Sequence, residues 1–227
     1  RPCPRGRACG GGVTRGLQRA EVAQRLADGW AFTVVRPETP ERALEIAEGC
    51  LAGGVDALEV SFTAPCAVRA IEAIVGRFGD EVLVGAGTVM DEATACMARM
   101  AGARFVVSNC LSEAVAATCN RYQLPYAPGC TSVTEAVRAL ELGASFIKCF
   151  PISSVYGPSL VGLFKTPTPW MPLMASGGVT LENLPEWLAS GVDCCGFGGL
   201  LATGSVEAIA ENARAVRAAV RAHRAAR

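Results

Sequence analysis

The chain has 227 residues, a length that a single α/β domain with a sizeable core commonly reaches, so we expect one domain. Its 21 basic residues equal its 21 acidic residues, and no broad basic field indicates nucleic acid or an anionic membrane as a partner. The expected partner is therefore a small molecule.

Residues 1–19 are rich in Arg and Gly and lack the apolar segment of a secretory signal. We interpret them as a flexible N-terminal tail and assign residues 20–227 to the folded domain. The charge-poor region 149–181 is interrupted repeatedly by Pro and Gly, so it does not predict a membrane span.

After a short amphipathic helix near residues 20–28, eight strand-like runs alternate with eight helical patterns. The predicted strands cover residues 31–36, 55–62, 81–87, 104–108, 125–129, 145–150, 171–176 and 193–198. The predicted helices cover residues 39–52, 66–77, 91–101, 112–122, 132–142, 158–165, 180–189 and 206–223. Eight βα units in order predict a single-domain α/β fold, a (β/α)8 TIM barrel that ends in a C-terminal helix. The alternative is an open doubly wound sheet, but the loop after the first strand lacks GxGxxG.

Lysine is rare in this chain, which contains 19 arginines but only two lysines. Lys148 lies in the run SFIKCF, whose apolar, aromatic and β-branched residues predict a buried strand. Burial lowers the pKa of an amine and leaves a neutral nucleophile, the group that forms a Schiff base with a carbonyl substrate. Lys165 is the alternative amine, which we expect on a solvent-facing helix or loop.

A carboxylate is predicted to face the same interior as Lys148. Alternation in the second strand places Ala57, Glu59 and Ser61 on one face, which we expect to point into the barrel. If the face of the sixth strand that carries Lys148 also points inward, Glu59 is its natural neighbour. Such a pair is explained equally well by catalysis and by a structural ion pair.

Three loops at the predicted carboxyl ends of strands carry small or hydroxyl-bearing residues. The segment GAGTV brings a threonine to the rim, and the segments ASGGV and GFGG end strands seven and eight. Glycine-rich loops after these two strands predict a site where backbone N–H groups hold a phosphate or another anion. The candidate residues are Thr88, Ser176, Gly177, Gly178, Gly198 and Gly199.

Eleven cysteines are scattered without CxxC pairs or Cys/His ligand spacing, and His223 is the single histidine. We therefore expect no metal site and interpret most thiols, including the adjacent pair Cys194 and Cys195, as small core residues of a reduced cytoplasmic protein.

The order and spacing of these motifs resemble the class I KDPG and KHG aldolase family, which acts on 2-keto-3-deoxy-6-phosphogluconate and 4-hydroxy-2-oxoglutarate. The similarity rests on VVR at 34–36, AGGVDALEVSFTAP at 52–65, VGAGTV at 84–89, APGCTS at 127–132, FIKCFP at 146–151 and SGGV at 176–179. The resemblance implies a (β/α)8 barrel that assembles as a homotrimer and needs no metal or organic cofactor.

The resemblance also assigns roles to individual residues. It places Lys148 on the Schiff-base lysine, Glu59 on the proton-shuttling carboxylate and Thr88 on a pocket threonine. Arg36 matches an arginine that helps to bind anionic groups, and the phosphate loops contain Gly177, Gly178, Gly198 and Gly199. Three segments depart from the family pattern. Ser176 replaces a usual threonine, and Thr63 lies in the loop where many members carry an arginine for the substrate carboxylate. The fourth strand ends in SNC at 108–110, where SPG is common.

The resemblance implies a lyase that cleaves a 2-keto-3-deoxy acid, with 2-dehydro-3-deoxy-6-phosphogluconate as the first choice, into pyruvate and glyceraldehyde 3-phosphate. Cleavage of 4-hydroxy-2-oxoglutarate, or decarboxylation of a β-keto acid such as oxaloacetate, are alternatives that use the same lysine. An alternative of another class is a barrel that binds a sugar acid or phosphate without turnover.

Overall fold

Nine short parallel strands form one continuous sheet in the computed structural model, which describes residues 18–226. The predicted tail 1–19 lies outside this range, except for its last two residues, which begin the first helix. The strands are β1 (Ala31–Val35), β2 (Ala57–Ser61), β3 (Leu83–Gly87), β4 (Val106–Val107), β5 (Tyr126–Ala127), β6 (Gly129–Cys130), β7 (Ile147–Cys149), β8 (Leu173–Ser176) and β9 (Cys194–Phe197).

The sheet closes through its fifth barrel strand. The strand order is β5-β4-β3-β2-β1-β9-β8-β7-β6, so the two ends of the sheet, β5 and β6, are consecutive in the chain and separated only by Pro128. Proline has no N–H to donate, but its carbonyl accepts a hydrogen bond of 2.9 Å from the backbone N–H of Lys148. Counting β5 and β6 as one strand gives eight strands, which confirms the predicted (β/α)8 barrel and excludes the open sheet.

Two short helices, 153–156 and 199–202, add to those predicted from the sequence, and together eleven helices within residues 18–226 surround the barrel. They are α1 (Gln18–Gly29), α2 (Pro40–Ala52), α3 (Ala67–Phe78), α4 (Glu92–Ala101), α5 (Glu113–Arg121), α6 (Val133–Glu141), α7 (Ser153–Tyr156), α8 (Ser159–Lys165), α9 (Leu184–Ser190), α10 (Gly199–Ala202) and α11 (Val206–Ala225). Side chains of Thr39, Asp91, Ser112, Ser132 and Ser205 accept backbone N–H groups at the starts of α2, α4, α5, α6 and α11. None of the helices within residues 18–226 has the length and apolar character needed to cross a membrane.

Two apolar cores lie on the two sides of the sheet. The larger one fills the space between strands and helices, and the smaller one fills the barrel interior. Val22 and Leu26 of α1 join the inner core, so this helix covers the amino-terminal end of the barrel. The inner core also contains Phe32, Val34, Ala57, Leu83, Phe105, Val107, Ala127, Phe146, Met174 and Cys194. The interior is therefore sealed below and reached from the carboxyl ends of the strands.

Candidate active site

Lys148 points into the barrel from β7. Phe146, two residues earlier, belongs to the inner core, whereas Cys149 packs in the outer one. The lysine is only 5% exposed, and its Nζ lies 4.9 Å from the centroid of the Phe150 ring. The Phe150 ring therefore lies beside the end of the lysine side chain.

Glu59 points into the same interior from β2, where it lies opposite Val34 of β1 and Gly85 of β3. It is 1% exposed. Its Oε1 occupies the space above Gly87, since a Cβ atom placed on that glycine would lie 1.9 Å from Oε1. Its Oε2 is buried and has no hydrogen-bond partner among the residues that the structure describes. A buried carboxylate oxygen without a partner is costly and is a typical feature of a functional site.

Lys148 and Glu59 face each other across the barrel. Strands β2 and β7 are four places apart in the ring of eight, which puts the two residues on opposite walls. Within residues 18–226 no ion pair joins their side chains. The two side chains are therefore not joined directly in this structure, although both are buried in the same interior.

Three hydroxyl groups gather beside Glu59 at the ends of β2 and β3. The Oγ of Ser61 lies 2.9 Å from Oγ1 of Thr63 and 3.0 Å from Oγ1 of Thr88. Ser61 is fully buried, Thr88 is half-buried and Thr63 is exposed. The cluster thus extends from the interior of the barrel to its rim.

Arg36 follows β1 directly and is exposed at the same end of the barrel. It lines a cavity of about 740 Å³ together with Gly198 and Gly199, the glycines that follow β9. Cβ atoms placed on either glycine would meet no other atom within 4 Å, so the backbone there is open to a ligand. The cavity combines a guanidinium with accessible backbone, which suits a phosphate or carboxylate.

Ser176, Gly177 and Gly178 form the end of β8 and its following loop. Ser176 is 8% exposed, and its backbone carbonyl accepts a hydrogen bond of 2.9 Å from Ser153. Both glycines have left-handed backbone conformations, with φ angles of 91° and 75°. Helix α9 begins at Leu184 rather than at residue 180, so no helix terminus follows this loop directly.

Lys165 is not the solvent-facing amine that the sequence predicts. Its Nζ donates hydrogen bonds of 2.7 Å to the carboxylate of Asp193 and to the carbonyl of Gly191. Asp193 also accepts the backbone N–H of Leu173 at the start of β8. Lys165 therefore joins elements at the amino-terminal end of the barrel, away from Lys148.

The cysteines near the site are packing residues. Burial raises the pKa of the Cys149 thiol to about 12. Burial likewise raises the pKa values of the Cys194 and Cys195 thiols well above the ordinary value, and the two side chains lie in the inner and outer cores. Within the described part of the chain, no three His, Cys, Asp or Glu side chains gather as potential metal ligands.

The sequence did not identify Ser61 or Phe150 as members of the site. The alternation that places Glu59 inward continues to Ser61, so a signal for that serine was present. The hydrogen bond that joins Ser61 to Thr88 involves a residue with a left-handed backbone, which no local pattern predicts.

Known proteins are similar to this chain in sequence and in fold. The profile of the family described as KDPG and KHG aldolase matches residues 22–217. The 2-dehydro-3-deoxy-6-phosphogalactonate aldolase of Escherichia coli (strain K12) is 38% identical over 188 residues, which cover 81% of this chain and 91% of that protein. The 2-dehydro-3-deoxy-phosphogluconate aldolase of Treponema pallidum (strain Nichols) is 38% identical over 156 residues, covering 69% and 74%.

A solved structure shows the same resemblance. It is a KDPG aldolase from Legionella pneumophila that holds pyruvate as a covalent carbinolamine intermediate. It superposes on this chain with a TM-score of 0.78 and 28% identity, covering 86% of this chain and 97% of that one.

The fold and these matches define the class of protein: the chain is an enzyme, a lyase of the aldolase type. Since the family profile matches far more than half of the chain, the chain belongs to the KDPG and KHG aldolase family. The alternative of a barrel that binds ligands without turnover finds no support in these relatives.

Proposed function

We propose that Lys148 is the Schiff-base lysine of this aldolase and Glu59 its acid and base, and that the substrate is a phosphorylated 2-keto-3-deoxy sugar acid. One observation carries this proposal. The amine and the carboxylate are both buried inside the barrel, on opposite walls, without an ion pair between them in the described residues. A substrate carbon chain placed between them would meet a nucleophile on one side and a proton acceptor on the other.

The reaction begins when neutral Nζ of Lys148 attacks the C2 carbonyl of the keto acid. Loss of water gives a protonated imine, which withdraws electrons from the carbon chain. Glu59, directly or through a water molecule, then takes the proton from the C4 hydroxyl while the C3–C4 bond breaks. The bond's electron pair moves into the imine to give an enamine, and the aldehyde leaves.

The second half of the cycle returns the proton. Glu59 gives its proton to C3 of the enamine, which restores the imine, now of pyruvate. Water adds to C2 and releases pyruvate and the free amine. The covalent pyruvate adduct of the Legionella pneumophila relative supports this sequence of steps for the family fold.

One feature of the site and the names of two relatives support a phosphorylated substrate. Arg36, Gly198 and Gly199 line one cavity beside the barrel mouth, where a guanidinium and open backbone N–H groups would hold a dianion. Both relatives at 38% identity carry a phosphorylated acid in their names, one a galactonate and one a gluconate. Ser176 would orient the chain between this cavity and Lys148. The shorter acid 4-hydroxy-2-oxoglutarate and oxaloacetate are the competing substrates.

We also propose a homotrimer in the cytoplasm. Several exposed apolar side chains lie on α7, α8 and the loop that follows, where Val155 is 78%, Leu163 65% and Trp170 73% exposed. Large apolar side chains exposed close together in the chain are typical of a protein–protein interface. The cytoplasmic location is supported by the nine cysteines of the described chain, all free thiols.

Treatment with pyruvate and borohydride should attach a reduced pyruvate adduct to Lys148, because the imine forms on that amine and borohydride reduces it. Peptide mass mapping locates the adduct. Lys148→Arg should abolish the adduct and lower the cleavage rate by about 10³-fold or more. Lys165→Arg is the matched control and should keep both. An adduct on Lys165 in the wild-type enzyme would contradict the assignment.

Glu59→Gln should keep the borohydride adduct but lower the cleavage rate by about 10²- to 10⁴-fold, because the amide cannot accept the C4 hydroxyl proton. Measuring adduct formation and pyruvate release on the same sample separates the two effects. An unchanged cleavage rate would show that another group is the base.

Phosphorylated 2-keto-3-deoxy acids should be cleaved with a kcat/KM about 10²-fold or more above that of the unphosphorylated acids, because the dianion adds binding energy remote from the reacting bond. The panel contains the gluconate and galactonate compounds, each with and without phosphate, together with 4-hydroxy-2-oxoglutarate and oxaloacetate. Arg36→Ala should reduce the preference for phosphate. Equal kcat/KM values with and without phosphate would favour the shorter substrates.

Sedimentation equilibrium should give the purified chain a mass of three copies of 23.5 kDa. Leu163→Glu should shift the population towards smaller species, since the new charge would be buried in the interface. A wild-type enzyme that sediments as a monomer would contradict the trimer.

A further inference from the structure

We propose that a cleft at the amino-terminal end of the barrel is a second site, which binds a small phosphate-bearing anion away from the active site. The cleft lies between the loop that joins α4 to β4, residues 102–105, and the loop that joins α5 to β5, residues 122–125. Gln18 at the start of α1 completes its wall. Its volume is about 510 Å³, which is in the range of small-molecule sites in proteins.

Three guanidinium groups line this cleft. Arg99 and Arg121 lie in the last turns of α4 and α5, and Arg104 lies in the loop before β4. No Asp or Glu is among the described residues that line the cleft. Residues 1–17, which precede Gln18, also contain no Asp or Glu, so they bring no carboxylate to it. The lining of the cleft therefore has an excess of positive charge.

Nearby ion pairs leave most of this charge uncompensated. Nη1 of Arg104 lies 3.1 Å from Oδ1 of Asp80, but the Asp80 side chain is 95% exposed. The ion pairs within residues 18–226 include neither Arg99 nor Arg121. An exposed ion pair is worth little and is screened by salt, so the three guanidinium groups remain available to an anion.

Arg104 also has a donor that the described residues leave unused. Its Nε is buried and has no hydrogen-bond partner among them. A buried N–H group without an acceptor is costly, and such groups are rare in folded proteins. Because a guanidinium presents two parallel N–H groups to an oxyanion, a small rotation of the Arg104 side chain towards a ligand in the cleft would supply the missing acceptor.

The two loops hold these arginines close to one arrangement. Gly102 and Gln123 have left-handed backbones, with φ angles of 106° and 56°, and each turns the chain sharply after its helix. The guanidinium carbon of Arg99 lies 4.3 Å from the centroid of the Tyr122 ring, so the two sides of the cleft contact each other. A prearranged set of charges loses less conformational entropy when a ligand binds.

The number of guanidinium groups favours phosphate over a single carboxylate. A phosphate monoester carries a charge near −2 at neutral pH and three acceptor oxygens. Three cationic side chains around one cleft match that charge and that number of acceptors better than they match one carboxylate.

The competing explanation is that Arg99 and Arg121 only complement the partial negative charge at the ends of their helices. Arg77 provides the matched comparison. It lies in the last turn of α3, and its guanidinium carbon is 5.6 Å from the centroid of the Phe78 ring. Arg77 thus shares the helix position and the aromatic contact of Arg99, but it does not line this cleft.

The test is isothermal titration calorimetry with inorganic pyrophosphate on the Arg36→Ala enzyme, in which the cavity at the barrel mouth lacks its guanidinium. This enzyme should bind pyrophosphate with a Kd that rises with added NaCl. Adding Arg99→Gln or Arg121→Gln should raise the Kd about tenfold, the value expected for a lost hydrogen bond to a charged group. Adding Arg77→Gln should leave the Kd unchanged, and acetate at the same ionic strength should not compete.

The second site is overturned if the Arg36→Ala enzyme does not bind pyrophosphate, or if Arg99→Gln and Arg121→Gln leave its Kd unchanged. An equal loss with Arg77→Gln, or competition by acetate, would also contradict it. Arg99 and Arg121 are exposed, and glutamine is a good helix former, so these variants keep the fold. Both variants should keep pyruvate trapping on Lys148, so the second site and the Schiff-base assignment succeed or fail separately.

Discussion

Closure of the parallel sheet is the constraint on which the site depends. Because β5 and β6 continue into one another at Pro128, every strand has two neighbours and alternate side chains are forced towards a common axis. This geometry brings Lys148 and Glu59, 89 positions apart in the sequence, to opposite walls of one interior. In an open sheet the same residues would lie on a face, with no wall opposite.

The interior holds more polar groups than packing requires. Glu59 and Lys148 are both removed from water without the compensation of an ion pair, and the second carboxylate oxygen has no partner among the described residues. Thr88 adds a left-handed backbone nearby. Each feature costs stability, and the apolar groups below and around the site offset that cost. These destabilising features all lie in or just after β2, β3 and β7, and they distinguish the site from the rest of the core.

Period-two alternation predicted correctly that Glu59 and Lys148 face inward, because a buried strand has few alternatives once its faces differ. Short elements were harder: α7 and α10 have four residues each, too few to show helical periodicity. The role of Lys165 was missed since its partner Asp193 lies 28 residues away and meets it only in the folded chain. The hydroxyl cluster around Ser61 joins residues from two loops, and the amino-acid composition of those loops does not predict their backbone angles.

Helix α1 determines the end of the barrel from which substrate enters and products leave. By covering the amino-terminal end of the barrel with Val22 and Leu26, it leaves the opposite mouth as the route for both reactant and products. In the proposed mechanism the three-carbon fragment stays bound to Lys148 after the carbon–carbon bond breaks, so the aldehyde departs before water releases pyruvate. Closure of one end of the barrel by the described residues and the proposed covalent bond to pyruvate would together impose an ordered release of products.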